Sequence, residues 1–335
     1  MIDRDFCLNP FSQRSSCSID INKIIIIADN YFDEQCMSRS TTDLPHPYNK
    51  IGDGPEGPEA RTVADKLRPV LLNNVIIKAH KAERGKSIGF ENIRCPANII
   101  GVRSYGKKVL IDIENNKGVH MIIVSLGMSG RLQYSPGNHS HIMFEIAQYN
   151  MSGPLKIMRP LLGLYFDDTR YMGGIDIIPT AGLSLYFKDL GPDLLHLALD
   201  EKTWIPLETW MLIFCQKKLM KRAICDVLLD QSLVAGIGNY LSSEILYYSG
   251  VLPDRSVESI TMQEWDHIRI SAHKVIHLSY SYGGFTIESF ISPDGTLGTY
   301  PAAVYHKKFD PSGNPVISGK TRNRRTSHWV PSIQH

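Results

Sequence analysis

The sequence predicts an α+β protein of more than one domain: a β-sandwich or barrel, then a helical region, then a short basic segment with β-like stretches. Three observations carry this. Seven short apolar runs, punctuated by Gly, Asn or Pro, lie between Val75 and Ile178, a rhythm that argues for stacked or closed strands. From about Leu194 to Phe290 the apolar pattern lengthens to helical spacing. The final stretch holds Lys307, Lys308, Lys320, Arg322, Arg324 and Arg325 against Asp310 alone.

Composition narrows the classes. The chain has 335 residues, 36 Lys+Arg, 34 Asp+Glu and 43% hydrophobic residues, which leaves room for two or three domains. No apolar run approaches the roughly 18 residues of a membrane helix. Ile24–Ala28, followed by Asp29, is too short for a secretory signal core. The formal charge of +2 hides an asymmetry: residues 1–54 are net −3 and residues 301–335 net +5, so the body between them is neutral. A neutral body with a basic end points to a polyanion met by the C-terminal segment, a solvated basic tail being the plainer alternative. Cysteines at 7, 17, 36, 95, 215 and 225 form no C-x-x-C pair. That argues against zinc-finger spacing and a disulfide framework, and for a reducing compartment.

The elements follow in order. Residues 1–54 show no sustained period and read as disordered, with a short strand at Ile24–Ile27. Pro58 stands as a first-turn proline, and Ala60, Val63, Ala64, Leu67, Val70 and Leu71 recur at helical spacing, predicting a helix over 58–72. The strand runs are Val75–Ala79, Ile99–Val102, Val109–Ile113, Met121–Leu126, Ile142–Ile146, Leu164–Phe166 and Ile175–Ile178. Two further β-like stretches, Ala302–Tyr305 and Ser327–Val330, lie among the Pro and Gly turns of the last segment.

Four segments could carry chemistry. Pro55-Glu56-Gly57-Pro58-Glu59 precedes the first helix. A free N-terminal proline is a secondary amine that can attack an electrophilic sugar carbon and form an iminium ion, with the next carboxyl placed for acid–base work. Read alone, the pentapeptide is a proline-stiffened turn. Leu126–Arg131 and Phe166–Gly174 set Met128, Arg170 and Met172 on Gly-containing turns after strands, suited to plugging the hole left by a flipped nucleotide or simply to core packing. Val234-Ala235-Gly236-Ile237-Gly238-Asn239 joins two apolar helices. There Asn239 either grips a phosphate at a helix N-terminus or caps the helix. Thr321–Gln334 places arginines before an aromatic, β-like stretch, as in a hairpin presenting a guanidinium to a phosphate, or in a basic tail.

Taken together and in this order, the segments P-E-G-P-E, S-Y-G-K-K-V-L, S-L-G-M-S-G-R-L, D-D-T-R-Y-M-G-G, L-G-P-D-L-L, L-L-D-Q-S-L-V-A-G-I-G-N-Y and R-R-T-S-H-W-V-P-S-I-Q resemble the formamidopyrimidine-DNA glycosylase / endonuclease VIII family. The resemblance implies an N-terminal β-sandwich with flanking helices over 55–180, a linker over 181–193, a helix–two-turn–helix domain over 194–299 and a finger over 300–335. It implies Pro55 as nucleophile, Glu56 as acid/base, Lys107 (with Lys108 a close rival) in the elimination step and Arg325 on the lesion phosphates. Met128, His139, Arg170, Met172, Lys221 and Asn239 become DNA-contacting candidates. The implied reaction removes an oxidised base from double-stranded DNA and nicks the abasic site by β,δ-elimination.

Departures from the family pattern shape the expectation. Val330 and Ile333 stand where the family's final C-x-x-C would hold zinc, and residues 301–335 contain no cysteine. The chain therefore resembles the zincless-finger endonuclease VIII-like subgroup, which prefers oxidised pyrimidines and hydantoins; an 8-oxoguanine preference is the same-fold alternative. No metal or other cofactor is expected. Met172 replaces a common Phe, and Cys225 stands where Lys is frequent. Gly54 precedes Pro55, and an amide nitrogen is delocalised and not nucleophilic. A mis-assigned start or missed splice, proteolysis at Gly54-Pro55, and a blocked DNA-lesion binder remain open, the first being favoured. The expected protein is an intracellular monomer acting where the genome is held, whether a nucleus, a bacterial cytoplasm or a viral factory.

Overall fold

The computed structural model describes residues 54–148, 160–286, 291–321 and 325–335. The strand expected at Ile24–Ile27 lies outside them, as does the extension apart from Gly54. The first helix, α1 (Gly57–Leu71), carries Pro58 in its first turn, where the missing N–H costs nothing. Ala60, Val63, Ala64, Leu67 and Leu71 are buried along one stripe, as the spacing requires.

Among the described residues, eight antiparallel strands follow: β1 (Asn74–Lys81), β2 (Ala97–Tyr105), β3 (Lys108–Asn115), β4 (Gly118–Ser125), β5 (Gly130–Gln133), β6 (Ser140–Gln148), β7 (Pro160–Asp168) and β8 (Gly174–Pro179). Their order is β5-β7-β6-β1-β2-β3-β4-β8. Strand β1 pairs with β6 along its length but with β2 only at Val75 and Ile76. The ladder therefore divides into two four-stranded halves that close over one core, as in a β-sandwich. Phe144, Ile146 and Phe166 from one half meet Val109, Ile111, Ile113, Ile122 and Val124 from the other. In β3, Val109, Ile111 and Ile113 line the core face, and Leu110 on the opposite face is buried as well. Strand β5 escapes the apolar-run reading because Leu132 is its one aliphatic residue; its ladder with β7, from Gly130↔Asp168 to Gln133↔Tyr165, makes it a strand.

The stretch read as a linker contains a helix, α2 (Leu183–Phe187), anchored because Tyr186 is buried and donates to Asp176 at 2.7 Å. The helical domain follows with α3 (Leu194–Leu199), α4 (Leu207–Phe214), α5 (Ile224–Leu228), α6 (Asn239–Ser249) and α7 (Met262–Ser281). Its core gathers Trp210, Phe214, Trp265, Leu241, Ile245 and Ile268. Helix α7 opens on a capping box, with Thr261 N–H donating to Glu264 at 2.8 Å and Glu264 N–H to the Thr261 hydroxyl at 3.3 Å.

The C-terminal hairpin pairs β9 (Ile317–Lys320) with β10 (Thr326–Trp329). Ala302–Tyr305, read as β-like, is not a strand. It is a buried loop whose amides turn onto Glu244 of α6: the Ala303, Val304 and Tyr305 N–H groups donate at 2.7, 2.9 and 2.9 Å. A buried carboxylate with three backbone donors satisfies the loop that a strand partner would otherwise satisfy.

Candidate functional site

The site forms where the N-terminus of α1 meets the N-terminus of α6. Glu56 and Glu59 are both buried. Glu56 accepts the backbone N–H groups of Gly238, Tyr240 and Leu241 at 2.7, 3.0 and 3.3 Å. These are unpaired donors at the start of α6, so the carboxyl sits at the positive end of that helix. Glu59 accepts the N–H of Glu56 at 2.8 Å, the Tyr240 hydroxyl at 2.8 Å and the N–H of Phe285 at 2.7 Å. Two carboxyls that share a buried region and a partner residue couple the β-domain to the helical one.

Electrostatics follow from burial. The Glu56 carboxyl is pushed up to about 8, chiefly by burial, with Lys107 lowering it and Glu59 raising it further. Burial also holds Glu59 above the usual carboxylate range, against its hydrogen bonds to Phe285 and Tyr240. A side chain at Gly238 would run into both the Glu56 carboxyl and the Lys107 ammonium, so glycine there lets the three groups converge. Lys108 goes elsewhere: its ammonium donates to the Ser125 hydroxyl at 2.8 Å and lies 5.6 Å from the Tyr186 ring centre.

Pro55 is buried beside Glu56, joined to a Gly54 that is buried too. A Cβ on Gly54 would collide with the Gly127 carbonyl. The 127–128 turn in turn packs on the 172–173 turn, where a Cβ on Gly127 would lie 2.6 Å from the Gly173 nitrogen. Asp168, fully buried, ties these turns together by accepting from the Ser129 hydroxyl at 2.5 Å, Arg170 N–H at 3.1 Å and Gly173 N–H at 2.7 Å. Arg170 contacts the Met128 sulfur at 3.7 Å, and Met172 is 38% exposed on the same loop. The three residues expected to act together are thus neighbours at the surface. His139 is exposed nearby, its backbone N–H on Asp167 at 2.9 Å and its ring 6.4 Å from that of Tyr171.

Asn239 is the first residue of α6, with Gly238 in the cap position, so the capping alternative does not hold. Its amide donates to the Thr326 carbonyl at 2.8 Å. Arg325 precedes that carbonyl, and its own backbone oxygen accepts the Thr321 N–H at 2.7 Å at the base of the hairpin. Lys221 is exposed in the turn between α4 and α5, and no described contact ties it to the Glu56 cluster. Sequence reasoning passed over Tyr240, Glu244 and Asp193. Of these only Asp193 carried a local signal, an Asp directly before an apolar helix.

A β-sandwich and a helical domain that share a buried carboxyl pair beside a proline, with a hairpin docked on the same helix, have the architecture of a class of DNA N-glycosylase/AP lyases. Three family models match the chain: the formamidopyrimidine-DNA glycosylase N-terminal domain over residues 54–175, its H2TH domain over 208–290 and its C-terminal domain over 298–335. The chain belongs to the formamidopyrimidine-DNA glycosylase family. It is 27% identical over 300 residues to the formamidopyrimidine-DNA glycosylase of Thermomicrobium roseum, covering 84% of this chain and 99% of that protein. The enzyme of the same name from Carboxydothermus hydrogenoformans is 26% identical over 296 residues, with 84% and 99% covered. The crystal structure of the MutM (Fpg) protein of Thermus thermophilus superposes with a TM-score of 0.69 at 25% identity, covering 84% of this chain and 98% of that one. A Lactococcus lactis Fpg complex with abasic-site DNA shares the fold, with a TM-score of 0.68 at 23% identity and coverage of 84% and 99%.

The family's finger zinc can be tested against the residues present. Val330 is fully buried and packs with Ala303 and Val304 against Tyr247, Val316 and Ile333. An apolar cluster occupies the place of a thiolate pair, and among the described residues no group of three or more His, Cys, Asp or Glu could hold a metal. This donor set does not fit zinc. Among the described residues, no helix is long and apolar enough to cross a membrane.

Proposed function

We propose that the chain excises oxidised bases from duplex DNA with Pro55 as nucleophile and Glu56 as acid/base, and nicks the resulting site by β,δ-elimination. The observation that carries it is a buried Glu56 carboxyl directly after Pro55 that meets the Lys107 ammonium beside Gly238, with burial raising the carboxyl above its usual range. The Pro55 nitrogen attacks the sugar C1′, and the base leaves with the electrons of the glycosidic bond. The departing base takes up the proton that the secondary amine releases; neutral Glu56 then gives its proton to the ring oxygen O4′ as the C1′–O4′ bond breaks, and the nitrogen lone pair completes the iminium ion. Lys107 and Arg325 act on the phosphates and in the eliminations that follow. Met128, Arg170 and Met172 fill the vacated stack, while His139, Asn239 and Lys221 contact the backbone. The relatives named above are bacterial formamidopyrimidine-DNA glycosylases and not members of the endonuclease VIII-like subgroup expected from the finger, so a preference for oxidised pyrimidines and hydantoins rests on the zincless finger alone. The relatives' name favours a second reading, formamidopyrimidine and 8-oxoguanine lesions.

The peptide bond between Gly54 and Pro55 favours a third reading, a lesion-binding protein without catalysis, because the amide nitrogen holds no free lone pair. Borohydride trapping on abasic-site DNA separates these, comparing residues 1–335 with a chain whose first residue is Pro55. Cross-linking by the Pro55-first form alone supports the glycosylase/lyase. Binding by both without cross-linking leaves a lesion binder. Equal trapping by the intact chain moves the chemistry to another amine, Lys107 first. Excision from thymine-glycol and 8-oxoguanine duplexes then ranks the lesions.

A further inference from the structure

The turn that carries Lys107 is held from the other domain. Strands β2 and β3 pair to Tyr105↔Lys108, so Gly106 and Lys107 form a two-residue hairpin turn. Gly106 has φ +55, which such turns require of their first central residue. In a two-residue turn the N–H of that residue points away from the ladder and needs a partner elsewhere. Asp193, just before α3, supplies it: one carboxylate oxygen accepts the Gly106 N–H at 2.8 Å, and the other accepts Leu195 and His196 N–H at 2.9 and 3.2 Å. The carboxyl is buried. Around it the Tyr105 hydroxyl donates to the Gly191 carbonyl at 3.0 Å, and a Cβ on Gly106 would lie 3.0 Å from that of Ala235. The hairpin tip is thus wedged into the helical domain, with Lys107 directed at the Glu56 carboxyl.

We propose that Asp193 is a positioning residue for Lys107: by gripping Gly106 it fixes the turn from which the lysine reaches the reacting sugar and its phosphate. This rests on the reading of Lys107 given above. A capping residue alone would need one carboxylate oxygen, and Asp193 uses both. Asp193→Asn separates the two tasks. Its amide oxygen still caps α3, but its NH₂ group faces the Gly106 N–H, donor against donor.

Kinetics use whichever form cross-links in the trapping experiment. D193N is expected to slow single-turnover scission of preformed abasic-site DNA by roughly 10- to 100-fold, the scale of an ångström-level misplacement. Its DNA affinity is expected to stay near the parent's, while its thermal midpoint falls by a few degrees for the one buried donor left unpaired. In a double-mutant cycle D193N adds nothing to K107Q, because both act through the same ammonium. Scission within about twofold of the parent, or losses that multiply with K107Q, overturns the proposal. If K107Q itself leaves scission unchanged, the reading of Lys107 fails first and the role of Asp193 with it. Should D193N not fold, selective ¹⁵N-glycine labelling of the unmodified full chain decides: the Gly106 amide is expected to exchange as slowly as core amides, and exchange at a solvent-exposed rate overturns the grip.

Discussion

The Glu56 carboxyl accepts the backbone N–H of Tyr240 at 3.0 Å, so the residue that follows Pro55 is oriented by the first turn of a helix in another domain. Glu56→Gln has nearly the same shape but no transferable proton. It is expected to lower single-turnover base excision by about 10²- to 10⁴-fold, the usual worth of a positioned acid or base, with DNA binding retained. Excision within tenfold of the parent would remove Glu56 from the chemistry.

The pH dependence has a definite sign. Burial raises the folded Glu56 from 4.5 to about 8, so the native state keeps a proton that the unfolded chain loses. The associated stability is complete below about pH 4.5 and is lost as pH rises through 8. Excision, needing neutral Glu56, should fall over the same alkaline limb. Thermal midpoints at pH 6 and 8.5 are expected to differ more in the parent than in E56Q; an equal difference in both would show that Glu56 is ionised throughout.

Glu244 joins α6 to the loop before the hairpin through three backbone N–H groups and the Tyr300 hydroxyl. Truncation to Ala leaves three buried backbone donors and the buried Tyr300 hydroxyl without their acceptor. The expected loss is about 3 kcal/mol or more, at the rate of about 1–3 for each orphaned group. Urea unfolding measures it, and a loss below about 1 kcal/mol would mean that water replaces the carboxyl.

The Val330 cluster makes a contrast with a metal-held finger. Chelation with 1,10-phenanthroline should leave the thermal midpoint unchanged, whereas V330A should cost about 2 kcal/mol by opening a cavity among Ala303, Val304 and Ile333. A midpoint that drops with the chelator would place a metal in this protein.

Much of the fold was legible in order along the chain, because short alternating runs and longer helical ones differ in period. Strand β5 was not, since one aliphatic residue in four gives no period and its ladder with β7 makes the strand. The loop at Ala302–Tyr305 was misread for the converse reason: apolar residues there are buried as a loop because a distant carboxylate satisfies their amides. Pro55, Glu56 and Asn239 stood out as motif residues, and the rivalry between Lys107 and Lys108 could not be resolved from adjacent positions.

By itself the sequence determined the period of each element, the proline and its neighbouring carboxyl, and the absence of cysteines from the last segment. Only the tertiary structure decided that Lys107 and not Lys108 meets Glu56, that Tyr240 bridges Glu56 and Glu59, and that Asp193 and Glu244 serve segments far from them. Periodicity and local chemistry are properties of neighbours along the chain. A hydrogen bond such as that from Tyr240 to Glu56, 184 residues apart, exists only once two hydrophobic cores have packed and brought their polar edges together.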